Sequence, residues 1–193
     1  AGLDIAIHDL FARRAGVPVR FLLNPKASDY VPAYASGIHI NAADRLIEQS
    51  RTEGFRAFKV KVGFNINSDI SKLRKLAATI RSGEKLFADS NQAWDVETAL
   101  FFINGVQECN LGWLEEPIPA DSRPVEWQHL SSESAVPIAG GENISGINEF
   151  DQTIQSGVFK FIQPDIAKWG GFTGCLTVAQ SAIAGGLTYC PHF

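Results

Sequence analysis

Lys85-Leu86-Phe87-Ala88-Asp89-Ser90-Asn91 is a short β-rich run that finishes in a carboxylate. The same form returns at Trp113-Leu114-Glu115-Glu116-Pro117 and at Ala139-Gly140-Gly141-Glu142-Asn143. Along the chain the β-rich runs are Val31 to Ser36, Ala57 to Val62, Lys85 to Asp89, Leu111 to Glu115, Val136 to Ala139, Phe159 to Gln163 and Leu187 to Cys190. Their starts lie roughly 25 residues apart, the size of one strand, one helix and two loops. Helical patterns fill the gaps. Asn41 is placed to cap a helix that Gly54 closes, Asp95 to cap a helix over Val96 to Val106, and Ser68 to Ile80 and Gly171 to Ala184 read likewise. Such a βα alternation predicts an α/β protein, either an open doubly wound sheet or a (β/α)8 barrel. A nucleotide-binding open sheet shows a Gly-rich turn after its first strand, and Gly37-Ile38-His39-Ile40 does not match it. Barrels gather functional groups at the C-terminal ends of many strands, as here. The expectation is a TIM-type (β/α)8 barrel with seven of its eight strands in the chain.

Composition narrows the classes further. Of 193 residues, 17 are Lys or Arg and 21 Asp or Glu, a formal charge of -4, so no basic face invites nucleic acid. No apolar run reaches the roughly 18 residues a membrane span needs. Cys109, Cys175 and Cys190 are far apart and lack CxxC spacing, which suits reduced thiols and a cytoplasmic protein rather than a disulfide framework or a zinc site. The chain opens on Ala1, holds no Met and stops at Phe193, and is read as a piece of something longer.

Alternation in Ala57-Phe58-Lys59-Val60-Lys61-Val62 sends Lys59 and Lys61 to one face and Phe58, Val60 and Val62 to the other. Two neighbouring lysines inside a barrel need a reason, and close like charges depress each other's pKa, as a lysine base requires. Three successive strands ending in carboxylates would bring like charges together, which a hard divalent cation resolves; all-oxygen ligation favours Mg2+. Glu115 and Glu116 cannot both point inward, and alternation alone does not choose between them. The sixth strand ends in Gln163-Pro164-Asp165 and the seventh in Pro191-His192, so the two ends can form a dyad in which Asp165 orients the His192 imidazole. His8, His39 and His129 are weaker candidates, of which His8 and His129 are read as structural, and Trp94, Trp113 and Trp169 are read as packing helices against strands.

Taken together, Lys59-Val60-Lys61, Asp89-Ser90-Asn91, Trp113-Leu114-Glu115-Glu116-Pro117, Gly141-Glu142-Asn143, Gln163-Pro164-Asp165-Ile166-Ala167-Lys168-Trp169-Gly170-Gly171 and Pro191-His192 resemble the mandelate racemase/muconate lactonizing enzyme branch of the enolase superfamily. Six motifs in the family's order span nearly the whole chain. The resemblance implies that Asp89, Glu115 and Glu142 ligate Mg2+, with Asn91, Glu116, Asn143 and Lys168 beside them. It makes Lys61 the base on one face of the substrate and Lys59 the cation at the substrate carboxylate. Asp165 and His192 serve the opposite face, and Asp165 stands where muconate lactonizing members carry a catalytic Lys. Residues 1–193 then form a partial C-terminal barrel domain, without the family's N-terminal capping domain and eighth strand.

The implied chemistry is abstraction of the proton α to a carboxylate, through an enediolate stabilised by Mg2+. Loss of a β-hydroxyl as water would make the enzyme a sugar-acid dehydratase, yielding a 2-keto-3-deoxy acid. Reprotonation on the other face would make it a racemase or epimerase of a 2-hydroxy acid. A third reading is a catalytically inactive fragment. The implied partners are a small carboxylate substrate and, in the full-length form, further copies of the same chain, with neither nucleic acid nor membrane.

Overall fold

The computed structural model describes residues 1–192, so the chain end at Phe193 lies outside the described residues. In chain order the elements are α1 (Gly2–Ala15), α2 (Val19–Leu23), β1 (Ala35–His39), α3 (Ala43–Thr52), β2 (Ala57–Lys61), α4 (Ile66–Ala77), β3 (Lys85–Asp89), α5 (Val96–Gly105), β4 (Leu114–Glu115), α6 (Pro124–Glu133), β5 (Ile138–Gly140), α7 (Ile147–Ser156), β6 (Phe161–Ile162), α8 (Gly171–Ala184) and β7 (Thr188–Tyr189). Two compact units hold them. One comprises Ala33–Gly140 and Ser156–Phe161; the other comprises Ala1–Pro32, Gly141–Gln155 and the chain from Ile162 onward. Among the described residues no helix is long and apolar enough to cross a membrane.

In the unit built on Ala33–Gly140, β1 to β5 are parallel neighbours in chain order. One face of the sheet is apolar and made by Phe58, Val60, Leu86, Ala88, Leu114 and Ile138, of which Phe58 and Val60 are positions that alternation assigned away from the lysines. Register then fixes the opposite face. Lys61 pairs with Asp89, and Asp89 pairs with Glu115, so one row of polar side chains crosses three strands. The row below pairs Lys59 with Phe87.

Two sequence expectations shift here. The first strand is Ala35–His39 rather than Val31 to Ser36. Val31 is 72% exposed, and Pro32 has no N–H to give a neighbouring strand. The register slips between Ala35 and Ile38, and Gly37 absorbs the extra residue at φ 71°. Asn41 does not cap α3: its Oδ1 accepts from Lys72 Nζ at 2.5 Å, and a 3-10 turn over Ile40–Ala42 leads into the helix instead. Asp95 does cap α5, accepting from Thr98 N at 2.8 Å. Helix α4 starts two residues earlier than read, because Asn65 accepts from Ser68 N.

At the N-terminal side of β3 a buried ion network ties α3 to the approach into the strand. Arg51 grips Glu84 with two nitrogens, Nε at 2.8 Å and Nη2 at 2.5 Å, and reaches Glu48 with Nη1. Hydrogen bonds from Arg51, and from the backbone of Arg81, hold the Glu84 carboxyl at a pKa of about 2, against burial that pushes the other way.

In the other unit α1 packs on α8. Helix α8 has no side-chain cap of its own. Asp4 supplies one from α1, accepting from Thr173 N at 3.2 Å and from Thr173 Oγ1 at 2.5 Å. A Cβ on Gly171 would sit 2.3 Å from Asp4 Oδ1, and its φ is +59°, so glycine is required there.

Replacing Glu84 by Gln should destabilise the fold by about 3 kcal/mol, the low end for breaking a buried pair because Glu48 still faces Arg51. Wild-type stability from this pair is complete above about pH 4.5 and is lost as pH falls towards 2, since the folded-state carboxyl is the stronger acid. Urea melts between pH 2 and 7 should show Glu84→Gln flattening that acid limb.

Candidate active site

Lys59 sits on β2, almost wholly buried, with Nζ 2.6 Å from Glu115 Oε1 and 3.3 Å from Asp89 Oδ2. Its neighbour two residues on, Lys61, places Nζ 2.6 Å from the same Asp89 oxygen and 2.7 Å from Asn91 Oδ1. Two ammonium groups thus meet two buried carboxylates, and Asp89 and Glu115 are each 1% exposed. Burial works against the Lys59 charge, but the Glu115 and Asp89 carboxylates outweigh it and raise its pKa above the ordinary lysine value. The mutual depression expected of neighbouring lysines therefore does not govern Lys59, whose Nζ meets the Glu115 and Asp89 carboxylates. Asp89 is held below its usual range, because Lys59, Lys61 and the Asn91 N–H together overcome its burial.

The loops above this row are built to hold it. Asn91 at φ 47° curls back, donating its N–H to Asp89 Oδ1 at 2.9 Å while its side chain meets Lys61. Gln92 follows at φ 63° and accepts from Ala120 N at 2.7 Å. Glu116, at φ 39°, leaves the strand in a left-handed turn, so only Glu115 joins the row. Strain collects at functional loops when the surroundings determine it. Asp69 on α4 gathers the N–H groups of Gly63, Phe64 and Asn65 on one oxygen, and fixes the loop that follows Lys61. A side chain on Gly63 would meet Ala93 Cβ at 2.8 Å and Ser90 O at 2.9 Å.

The other unit brings together the remaining candidates. Asp165 Oδ2 lies 2.9 Å from His192 Nδ1, while Asp165 Oδ1 accepts from the backbone N–H of Ala167 at 2.7 Å and Lys168 at 2.9 Å. Burial raises the Asp165 pKa, but the Lys168 N–H, His192 and the Ala167 N–H lower it further, so the carboxylate stays ionised. His192 Nε2 faces Glu142 Oε2 at 2.8 Å, and Lys168 Nζ reaches Glu142 Oε1 at 3.0 Å and Asn143 Oδ1 at 3.2 Å. His192 therefore has a carboxylate at each ring nitrogen. A parallel bridge between Asp165 and His192 sets that geometry in the backbone.

Among the described residues of either unit, no group of three or more His, Cys, Asp or Glu side chains is gathered to hold a metal ion. The donor chemistry of Asp89 and Glu115 nevertheless fits a hard cation. Both are buried acceptor-only carboxylates, and both already collect positive charge from lysine. Glu142 belongs to the other unit.

Trp113 and Asp69 escaped the sequence reading. Trp113 does not pack a helix against the sheet; it stacks on Phe87 with ring centres 3.6 Å apart and donates its indole N–H to Glu115 Oε2 at 3.2 Å. The signal was present, because alternation sends residues 113 and 115 to one face. Nothing in spacing pointed to Asp69. The other two tryptophans read as packing residues meet rings of their own units, Trp94 against Phe102 and Trp169 against Phe150.

Residues 42–193 match the Enolase C-terminal domain-like family. The chain belongs to it. L-talarate/galactarate dehydratase of Salmonella typhimurium is 33% identical over 99% of the chain and 49% of that protein. A mandelate racemase/muconate lactonizing enzyme of Bordetella bronchiseptica superposes with a TM-score of 0.95 at 42% identity, over 100% of the chain and 53% of that structure. An enolase of Bradyrhizobium, solved with magnesium and mandelic acid, gives a TM-score of 0.91 at 33% identity over 100% and 54%. The fold is thus the TIM-barrel type of the enolase superfamily, and the chain spans about half the length of the relatives it matches.

Replacing Lys59 by Met leaves Asp89 and Glu115 facing each other without their buried ammonium. The variant should lose about 3–5 kcal/mol, and added Mg2+ should restore part of it by supplying the missing charge. Calorimetric melts with and without Mg2+ read both effects; an unchanged melting temperature would refute the charge balance described.

Proposed function

We propose that this chain carries the catalytic residues of a Mg2+-dependent enzyme that removes the proton α to a carboxylate, acting as a sugar-acid dehydratase. The observation that carries the reading is the row Lys61, Asp89 and Glu115 across three neighbouring strands, with Lys59 buried beneath it. The similarity to a galactarate dehydratase supports the substrate class. That the relatives are enzymes favours this reading over an inert fragment.

In the proposal Asp89, Glu115 and Glu142 hold Mg2+, with Asn91, Glu116, Asn143 and Lys168 arranged beside them. The ion supplies Lewis-acid stabilisation of charge on the substrate carboxylate. Exposure separates the roles of the two lysines. The Lys61 side chain is 27% exposed and Lys59 3%, so Lys61 can meet substrate and take the α-proton, while Lys59 pairs with both buried carboxylates and adds positive charge. Asp165 orients the His192 imidazole through Nδ1, and Nε2, which faces Glu142 Oε2 at 2.8 Å, delivers a proton to the departing β-hydroxyl once substrate takes the place of that contact.

A racemase or epimerase of a 2-hydroxy acid is the second reading, favoured by the relative solved with mandelic acid. It uses the same residues, with His192 returning the proton to carbon. Incubation with a panel of aldonic and aldaric acids and Mg2+ should yield 2-keto products. Exchange of the α-proton in deuterated water without such products would replace the dehydratase by the racemase, and neither outcome would remove both. Lys61→Met and His192→Asn should each lower turnover by about 10²–10⁴-fold, measured by 2-keto acid formation.

A further inference from the structure

We propose that Trp113 is a positioning residue that makes Glu115 a one-oxygen ligand and so favours Mg2+ over Ca2+. The inference rests on the ligand assignment above. Its basis is the contact between indole Nε1 and Glu115 Oε2, 3.2 Å long between two residues that are 3% and 1% exposed.

The ring cannot swing away from that contact. Phe87 lies against one face at 3.6 Å and 8°, Phe161 approaches at 4.8 Å, and the Tyr34 ring meets it edge-on at 5.4 Å. Contact with three other rings leaves the buried indole little room for a second rotamer. The indole N–H therefore points along one direction. It is a donor only, so Oε2 is held as its acceptor while Oε1 is turned to the cationic side, where Lys59 Nζ now lies at 2.6 Å.

This division of the carboxylate has a consequence for the ion. Mg2+ requires near-octahedral coordination and takes carboxylates through single oxygens, whereas Ca2+ has a larger shell and accepts both oxygens of one carboxylate. A Glu115 clamped at Oε2 suits the smaller ion. Freed from the clamp, the carboxylate can turn and offer both oxygens. Partners one layer behind metal ligands are typically worth about 10–100-fold in affinity.

Two substitutions remove the N–H and keep the ring stack: Trp113→Phe, and replacement of Trp113 by 3-benzothienylalanine, which preserves the bicyclic shape with sulfur in place of the N–H. Mg2+ and Ca2+ are titrated calorimetrically into the full chain and each variant. Mg2+ affinity should fall by about 10-fold or more, Ca2+ affinity should fall less, and the preference for Mg2+ should narrow in both variants. An unchanged preference in the benzothienylalanine protein overturns the inference, even if Trp113→Phe fails to fold. Glu115→Gln separates this from the ligand assignment. If it leaves Mg2+ affinity intact, the assignment itself fails. If it weakens Mg2+ while the Trp113 variants keep the wild-type preference, only the positioning role fails.

Discussion

Lys59 buried between Asp89 and Glu115 is the interaction on which the rest of the described site depends. An ammonium and two carboxylates placed in a protein interior each cost several kcal/mol to desolvate, and they are tolerated only when geometry lets them offset one another. Here the offset requires three strands in a particular register: Lys61 beside Asp89, and Asp89 beside Glu115. A slip of one residue in any strand would turn its charged group into the apolar face now made by Phe58, Val60, Ala88 and Leu114. Register, burial and charge are therefore one constraint. The apolar face holds the strands in place, and the strands in place hold the charges.

Much of the remaining architecture protects this arrangement. The left-handed residues Asn91, Gln92 and Glu116 cluster where β3 and β4 end, and hydrogen bonds from Ser90 Oγ and the Gln92 N–H to the Glu116 carbonyl fasten the two loops to each other. Asp69 ties down the loop after Lys61, and Gly63 lets that loop pass close to Ser90 and Ala93. On the same side of the sheet as the lysines, Phe87 stacks on Trp113 and Phe161 lies tilted against it, adding apolar surface next to the charges. In the other unit the same economy appears at smaller scale. Asp165 is oriented by two backbone N–H groups, and it in turn orients His192.

The repeat of strand and helix, the inward face of Lys59 and Lys61, and the carboxylates at the ends of β3, β4 and β5 were all legible in the sequence. Each is a local property: alternation has period two, and strand ends are marked by Gly, Pro and Asn. Local rules also erred where a tertiary partner intervened. The first strand starts at Ala35, beyond the exposed Val31 and Pro32, and a register slip at Gly37 then pairs Ile38 and His39 with β2. Asn41 gives its side chain to Lys72 rather than to a helix end. Trp113 reads as a packing residue until the neighbouring Phe87 and Phe161 are in place to aim its N–H.

By itself, then, the amino-acid order determined the class of fold, the set of chemically active side chains and the face of the sheet on which most of them lie, because those follow from periodicity and residue type. Only the tertiary structure decided between Glu115 and Glu116 on physical grounds, through the left-handed turn that takes Glu116 out of the strand. It also decided the charge state of Lys59. A pKa depends on what lies within a few ångströms, and two carboxylates 30 and 56 residues further along the chain lie closer to its Nζ than any local rule could place them.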